Sequence, residues 1–226
     1  QQEGFGPSQY THTHAFPLRH SSSNAYLTPA KRRRNVRVET GARALKLLFD
    51  GNRCTGLLVE IRGKQHVIHA GQEVILSAGA YQSPQLLMLS GIGNPDDLRQ
   101  LGIDVIVPLP GVGANLQDHF GSMVQHRCKQ PITYYQLRNP IRLAGALIQL
   151  ALTRSGPLSV FPMNAQAFVK SDPALERPNI QLLMFPVAKP AESDALHHAS
   201  YDGYNIHWAQ LRPYARGNVT LRSDSP

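Results

Sequence analysis

The chain has 226 residues, of which 42% are hydrophobic and 17% are charged, an ordinary balance for a globular protein of one or two domains. No apolar run approaches the roughly 20 residues that a transmembrane helix needs, so we expect no transmembrane segment and a soluble protein, cytoplasmic by default until the termini can be judged. The net charge of +8 invites a nucleic-acid function, but only residues 31–34 (KRRR) concentrate it and no aromatic residues are interleaved. No nucleic-acid partner is therefore predicted.

Metal and disulfide chemistry are not indicated either. Cys54 and Cys128 are the only cysteines, and their separation matches no metal or redox motif. His12, His14 and His20 fall in a polar segment, and such a segment is more typical of a surface loop than of a metal site. The sequence thus predicts reduced thiols and no bound metal.

The first third of the chain reads as an irregular segment followed by a β-meander. Residues 1–23 show no sustained periodicity, and Pro29 limits the next helical segment to a short turn that ends near Arg32. Asp50 and Gly51 form a hairpin signal between two apolar runs. The predicted strands are residues 35–39, 42–50, 54–62, 65–70 and 72–77.

Residues 71–93 (GQEVILSAGAYQSPQLLMLSGIG) predict a buried strand, a glycine turn and a helix in immediate succession. The strand is the apolar run at 74–76, Gly79 permits the turn, and Ser83 and Pro84 suit the N-cap and the first helical position. A strand that ends in small residues before a helix is where α/β sheets often bind ligands, although many such turns bind nothing.

The pattern of predicted helices and strands changes after His119. Before it, Asn94 and Gly102 bracket a predicted helix, residues 103–109 form a predicted strand, and a tight turn follows. After it, we predict a strand at 123–128, a loop at 131–140, an amphipathic to fully buried helix at 141–153 and a strand at 204–212. This change predicts a domain boundary, with domains at residues 1–120 and 121–226.

Several runs closely resemble one enzyme family. Residues 79–93 resemble the second signature of the glucose-methanol-choline (GMC) oxidoreductases, flavoenzymes that oxidise alcohols with FAD. Residues 110–119 (PGVGANLQDH) resemble a further family motif in the expected order, as do residues 22–30, the Gly-Pro-Leu string at 156–158 and residues 211–217. The resemblance covers nearly the whole chain, as an interior part of a choline dehydrogenase-like member.

The resemblance implies a fold that is α/β plus α+β. Residues 1–120 would be a partial FAD-binding Rossmann-like domain, and residues 121–226 part of a substrate domain built on an antiparallel sheet flanked by helices. In the family, a threonine lies near the start of this meander, and the residue four positions after it contacts the FAD adenine through its backbone. Thr40 is the corresponding threonine here, so the contact residue implied is Ala44. The cofactor-binding residues implied in this way are Ala44, Ser77, Ala78 and Gly79.

The resemblance also implies a function for the complete protein. No Gly-x-Gly-x-x-Gly fingerprint occurs, and the family's catalytic histidine is expected beyond Pro226, so we expect this chain alone to be inactive and colourless. His119 is expected to be structural, because adjacent residues such as Asp118 seldom form a catalytic pair. The prediction is the middle portion of an FAD-dependent alcohol oxidoreductase that acts on a primary or secondary alcohol, with an unassigned electron acceptor.

Two alternatives stay open: an FAD-containing lyase of the same family, and a truncated, non-catalytic product. The substrate is also open. Relatives of the choline type carry a glutamate where this chain has Asn164, so choline itself is not predicted. His207 is more typical of a solvent-facing sheet histidine than of a pocket residue.

Overall fold

The computed structural model describes residues 4–7, 21–159, 163, 165–188 and 201–226, with residues 5–7 described by their backbone only. The chain divides into two compact units, one of Gln1–Arg34 with His119–Pro213 and one of Asn35–Asp118 with Tyr214–Pro226. The predicted boundary between residues 120 and 121 lies beside the change of unit at His119. Residues 1–34 group with the predicted second domain, and residues 214–226 group with the predicted first domain. That the first domain binds the cofactor and the second the substrate stays a prediction.

Ten strands and four α-helices are formed by the described residues. The strands are Gly4–Pro7 (β1), Ala42–Asp50 (β2), Arg53–Ile61 (β3), Lys64–His69 (β4), Ile92–Gly93 (β5), Val107–Pro108 (β6), Gly121–Arg127 (β7), Ala165–Val169 (β8), Ile180–Phe185 (β9) and Gly203–Gln210 (β10). The helices are Thr28–Ala30 (α1), Gly79–Leu89 (α2), Pro95–Gln100 (α3) and Pro140–Thr153 (α4), with a π-helical turn at Ser23–Leu27 and a 3-10 turn at Tyr134–Arg138.

The first unit contains a five-stranded antiparallel sheet in the order β1-β8-β9-β10-β7. It confirms the strands predicted after His119. The prediction that residues 1–23 are irregular is wrong at β1, because Gly4–Pro7 pairs with Ala165–Phe168 of β8. A four-residue edge strand is too short to show a period, so its partner decides its conformation. His12, His14 and His20 lie outside the described residues.

Helix α4 begins and ends where the sequence predicts. The side chain of Asn139 accepts hydrogen bonds from the backbone N–H of Ile141 at 2.9 Å and of Arg142 at 3.2 Å, which is an N-cap. The prediction extended from an amphipathic to a fully buried helix, and full burial is wrong, because Ala146 is its only buried residue. One narrow side of the helix packs, and the apolar side chains on the other sides are exposed.

The second unit contains the antiparallel meander β2-β3-β4, which confirms three of the five strands predicted there. The strands predicted at 35–39 and 72–77 are wrong. Neither run pairs with another strand among the described residues, and Ile75, predicted to be buried, is 79% exposed. A strand requires a hydrogen-bonded neighbour, and a local alternating or apolar pattern cannot provide one.

Helix α2 begins at Gly79, earlier than predicted. Ser83 is not its N-cap: the Ser83 hydroxyl accepts a hydrogen bond from the N–H of Ala78 at 3.1 Å, and Pro84 lies inside the helix. The predicted apolar face is confirmed in the burial of Leu86, Met88 and Leu89. The predicted strand at 103–109 is reduced to β6, which pairs in parallel with β5.

Ser90 connects α2 to β2. It is fully buried, its hydroxyl accepts a hydrogen bond from the N–H of Leu47 at 2.8 Å, and it donates to the carbonyl of Leu86 at 2.6 Å. Because β2 is an edge strand, the sheet gives the N–H of Leu47 no partner, and the serine provides one. The hydroxyl therefore fixes the distance between strand and helix.

We predict that Ser90→Ala lowers the free energy of unfolding by about 1 to 3 kcal/mol, because the buried N–H of Leu47 loses its acceptor. The measurement is chemical denaturation of the full-length protein. Ser122→Ala, at an exposed serine of β7, is the matched control and should change stability by less than about 0.5 kcal/mol. Equal effects of the two substitutions would contradict the role assigned to Ser90.

Candidate functional site

A cleft of about 390 Å³ opens on the second unit beside β2 and the first turns of α2. Its volume lies within the range of about 300 to 1,000 Å³ that is typical of ligand sites. The residues that line it are Ala42, Arg43, Ala44, Ala78, Gln82, Gln85, Leu86, Leu89 and Pro226. Two of the four predicted site residues, Ala44 and Ala78, are thus brought together although they are far apart in sequence.

Ala44 lies where β2 is irregular. The register of β2 against β3 shifts between Ala44 and Lys46, so Leu45 is an extra residue, and its side chain is buried. Such a bulge bends the strand locally and turns neighbouring groups to new directions. An alanine side chain at this point leaves the edge of the strand open to a molecule in the cleft.

Ala78 ends the extended segment before α2, and the next residue makes the turn. Gly79 has φ of +91°, a conformation that other residues rarely adopt, and the hydrogen bond from Ala78 to Ser83 closes the turn. Ser77 and Gly79 adjoin Ala78 in the chain but are not among the described residues that line the cleft. Their predicted cofactor contact stays a prediction.

The sequence reasoning missed the polar lining of the cleft. Gln82 and Gln85 are three residues apart, so they lie on the same side of α2, and Arg43 is beside Ala44 on β2. The glutamines were missed because the helix was predicted to start at Ser83; a start at Gly79 would have placed both on one face. Among the described residues, the lining contains amides, one guanidinium and apolar groups but no carboxylate, imidazole or thiol side chain. This arrangement suits binding of a polar ring or an anion rather than acid–base catalysis.

The run at 110–119 is held by the last segment of the chain. Leu116 and Gly217 exchange backbone hydrogen bonds at 2.9 and 2.8 Å, and the N–H of Val219 donates to the carbonyl of Gly113 at 2.7 Å. Gly113 has φ of +80°, and a Cβ there would lie 2.2 Å from the carbonyl oxygen of Val219. The structure thus gives this motif a packing reason, in agreement with the structural role expected for the run.

The Gly-Pro-Leu string at 156–158 is fixed within the first unit. The phenol of Tyr134 donates to the carbonyl of Pro157 at 2.9 Å, and burial raises the pKa of that phenol. Gly156 has φ of +94°, and a Cβ there would lie 2.5 Å from the side chain of Gln149. Asn164, which follows this string, lies outside the described residues.

Metal and membrane-spanning features are absent from the part of the chain that the structure describes. No group of three or more histidine, cysteine, aspartate or glutamate side chains is placed to hold a metal there, and both cysteines are free thiols. Among the same residues, no helix has the length and apolar character needed to cross a bilayer.

Comparison with known proteins identifies the family. A profile described as GMC oxidoreductase matches residues 1–121, which is more than half of the chain. The chain belongs to the GMC oxidoreductase family. This confirms the predicted resemblance, and FAD as the cofactor is supported by the family match and by the solved structures that resemble the chain.

The similar proteins extend over the whole chain. An oxygen-dependent choline dehydrogenase of Staphylococcus xylosus is 38% identical over 227 residues, and one of Brucella ovis is 39% identical over 226 residues. Both alignments cover 100% of this chain and 40% of the relative, so the chain spans less than half the length of these proteins.

Solved structures agree on the fold. Pyridoxine 4-oxidase from Mesorbium loti is 25% identical with a TM-score of 0.74, covering 99% of this chain and 39% of that protein. A formate oxidase is 26% identical with a TM-score of 0.71, covering 81% of this chain and 37% of that protein. These likenesses confirm the predicted fold class, a mixed α/β fold that contains antiparallel sheets and a partial Rossmann-like domain.

We predict that Gly113→Ala destabilises the protein by at least about 2 kcal/mol, because the new Cβ meets a backbone carbonyl and φ is positive. Gly111→Ala, two residues earlier, is the matched control: a Cβ there meets no atom within 4 Å, and its φ is not in the left-handed region. Thermal denaturation of the full-length protein compares the two. A similar loss for both variants would show that the close approach of Val219 is unimportant.

Proposed function

We propose that this chain is the middle portion of an FAD-dependent alcohol oxidoreductase and that its cleft beside β2 and α2 binds the adenosine half of FAD. The observation that supports the proposal is the meeting of Ala44 and Ala78 in one cleft. The sequence resemblance alone pointed to both residues. Their shared location is a separate observation, made from the coordinates.

The fit of a nucleotide rests on the chemistry of the lining. Alanine side chains leave room for a planar ring to approach the backbone of an edge strand, where alternate N–H and C=O groups have no strand partner. Gln82 and Gln85 supply amide donors and acceptors, and Arg43 is the charged group of the cleft. These groups would hold and orient the adenosine.

The proposed reaction is oxidation of a primary or secondary alcohol to a carbonyl compound. The substrate loses its hydroxyl proton to a base and a hydride from its carbon; FAD, when bound, supplies the hydride acceptor. The lining of the cleft offers no base, so this chain's contribution is to bind the cofactor and to provide part of the substrate domain. The base is proposed to lie in residues after Pro226.

The proposed substrate is a neutral alcohol rather than choline. The relatives quoted above are named for choline, and a structural neighbour for pyridoxine. A quaternary ammonium group needs a carboxylate or an aromatic face nearby, and the family resemblance implies that Asn164 stands where choline-type members have a glutamate. An amide gives a neutral hydroxyl compound hydrogen bonds without a charge.

We predict that Ala78→Leu in the full-length protein lowers the FAD bound per polypeptide by tenfold or more, because the longer side chain fills the cleft. Bound flavin is measured by absorbance after removal of free FAD. Ala80→Leu is the matched control, since Ala80 is exposed on α2 and does not line the cleft. Full flavin content in Ala78→Leu together with an unchanged fold would refute the proposed adenosine site.

We predict that a neutral primary alcohol bleaches the flavin of the full-length protein under anaerobic conditions, and that choline does so more slowly. Asn164→Glu should raise the rate of reduction by choline about tenfold relative to the neutral alcohol, through a charge pair worth about 1.4 kcal/mol. Asn164→Gln, which adds length without charge, is the control. Retained FAD that no alcohol bleaches would instead identify a lyase.

A further inference from the structure

Arg43 is the charged residue of the cleft, and its guanidinium is open to a ligand. The residue opposite it in the pairing of β2 with β3 is the acid Glu60, yet the two side chains form no ion pair. Within the part of the chain that the structure describes, the side chain of Arg43 has no hydrogen-bond acceptor either. It lines the cleft instead. A positive group without a protein partner therefore borders the space between β2 and α2.

The register of β2 shows which of its backbone groups point away from the sheet. Leu47 lies opposite Leu57, and its N–H donates to the hydroxyl of Ser90 rather than to β3. In an antiparallel pair such outward positions recur at every second residue of the partner strand. Two residues along β3 from Leu57 is Val59, which lies opposite Ala44. The N–H and C=O of Ala44 therefore also point away from β3, toward the open edge of the sheet.

These directions determine how a purine would lie in the cleft. The N–H and C=O groups of a strand lie in the plane of the sheet, so a purine that pairs with those of Ala44 continues that plane. The side chain of Ala44 shares the packed face of the sheet with Val59, which is buried. Arg43 is the preceding residue, so its exposed side chain stands on the other face. Because both residues line the cleft, the cleft reaches both faces of the sheet around the edge of β2.

We propose that the guanidinium of Arg43 stacks on the exposed face of the adenine ring of FAD, an inference that rests on the adenosine site proposed above. A guanidinium is planar, and it stacks on aromatic rings with a favourable interaction between its charge and the ring. The ribose separates adenine from the phosphates of FAD. The side chain next to the backbone that pairs with the base is therefore closer to the ring than to the phosphates.

A stacked guanidinium and a phosphate-binding guanidinium differ in the side chains that can replace them. Stacking on adenine requires a flat group, which phenylalanine provides without a charge. Binding a phosphate requires a positive charge, which lysine provides without a flat group. Substitutions at Arg43 alone therefore distinguish the two roles, and its exposed position on an edge strand allows each of these side chains to be accommodated.

The test measures the dissociation constant of FAD from the full-length protein, by the bound flavin that remains after dialysis of the FAD-loaded protein against graded concentrations of free FAD. We expect Arg43→Gln to weaken binding about fivefold, Arg43→Lys to weaken it equally, and Arg43→Phe to stay within about twofold of the unsubstituted protein. Lys46→Gln is the matched control, because Lys46 is exposed on the same face of β2 and does not line the cleft. It should leave the dissociation constant unchanged.

Two results would overturn the stacking role. One is tight binding in Arg43→Lys together with weak binding in Arg43→Phe, which would identify a contact with phosphate. The other is an unchanged dissociation constant in Arg43→Gln. Ala78→Leu shows how far such a failure extends: if Ala78→Leu loses flavin while Arg43→Gln does not, the adenosine site stands and only the stacking is refuted. If neither variant loses flavin, the proposed site is refuted as well.

Discussion

The hydrogen bonds of one buried hydroxyl, on Ser90, set the geometry of the cleft. An edge strand leaves alternate N–H groups without a strand partner, and a buried N–H without an acceptor is costly. Ser90 satisfies one of them, at Leu47, while its own hydrogen is donated to Leu86 of the helix. Strand β2 and helix α2 are therefore held at a fixed separation, and Ala44 and Ala78 line the space that remains beside this contact.

Residues 90–93 show why the family signature at residues 79–93 ends in small residues. Ser90 makes the strand-to-helix contact, and Gly91 follows it with φ of +84°, where a Cβ would lie 2.4 Å from the carbonyl oxygen of Asp104. At Gly93 a Cβ would lie 3.1 Å from the side chain of Met88, within the small core that also contains Leu98. Each small residue after α2 thus permits a close approach of two chain segments, which larger side chains would prevent.

Local signals were sufficient for much of the fold. Asn94 was a recognisable helix start, and its side chain accepts the backbone hydrogen bond of an N-cap. Asp50-Gly51 gave the β2–β3 hairpin. The failures have a common cause, since they concern non-local partners. Whether residues 72–77 form a strand depends on a neighbour, and that Gln82 and Gln85 line a cleft depends on where β2 lies. In the site, two predicted residues lie in the cleft. A helix start at Gly79 would have placed Gln82 and Gln85 on one face, but only the position of β2 shows that this face borders a cleft.

Ile75, within the apolar run at 74–76, and the apolar side of α4 are both exposed, and the backbones of the two segments determine what can cover them. The run at 74–76 is extended and has no strand partner in the part of the chain described, so its N–H and C=O groups require hydrogen bonds as well as cover. A neighbouring strand supplies both, whereas lipid supplies cover without hydrogen bonds, because the bilayer core contains no hydrogen-bonding groups. Helix α4 satisfies its backbone internally and is capped by Asn139, so its apolar face requires cover alone. The extended run therefore requires a neighbouring strand, whereas α4 requires only an apolar surface.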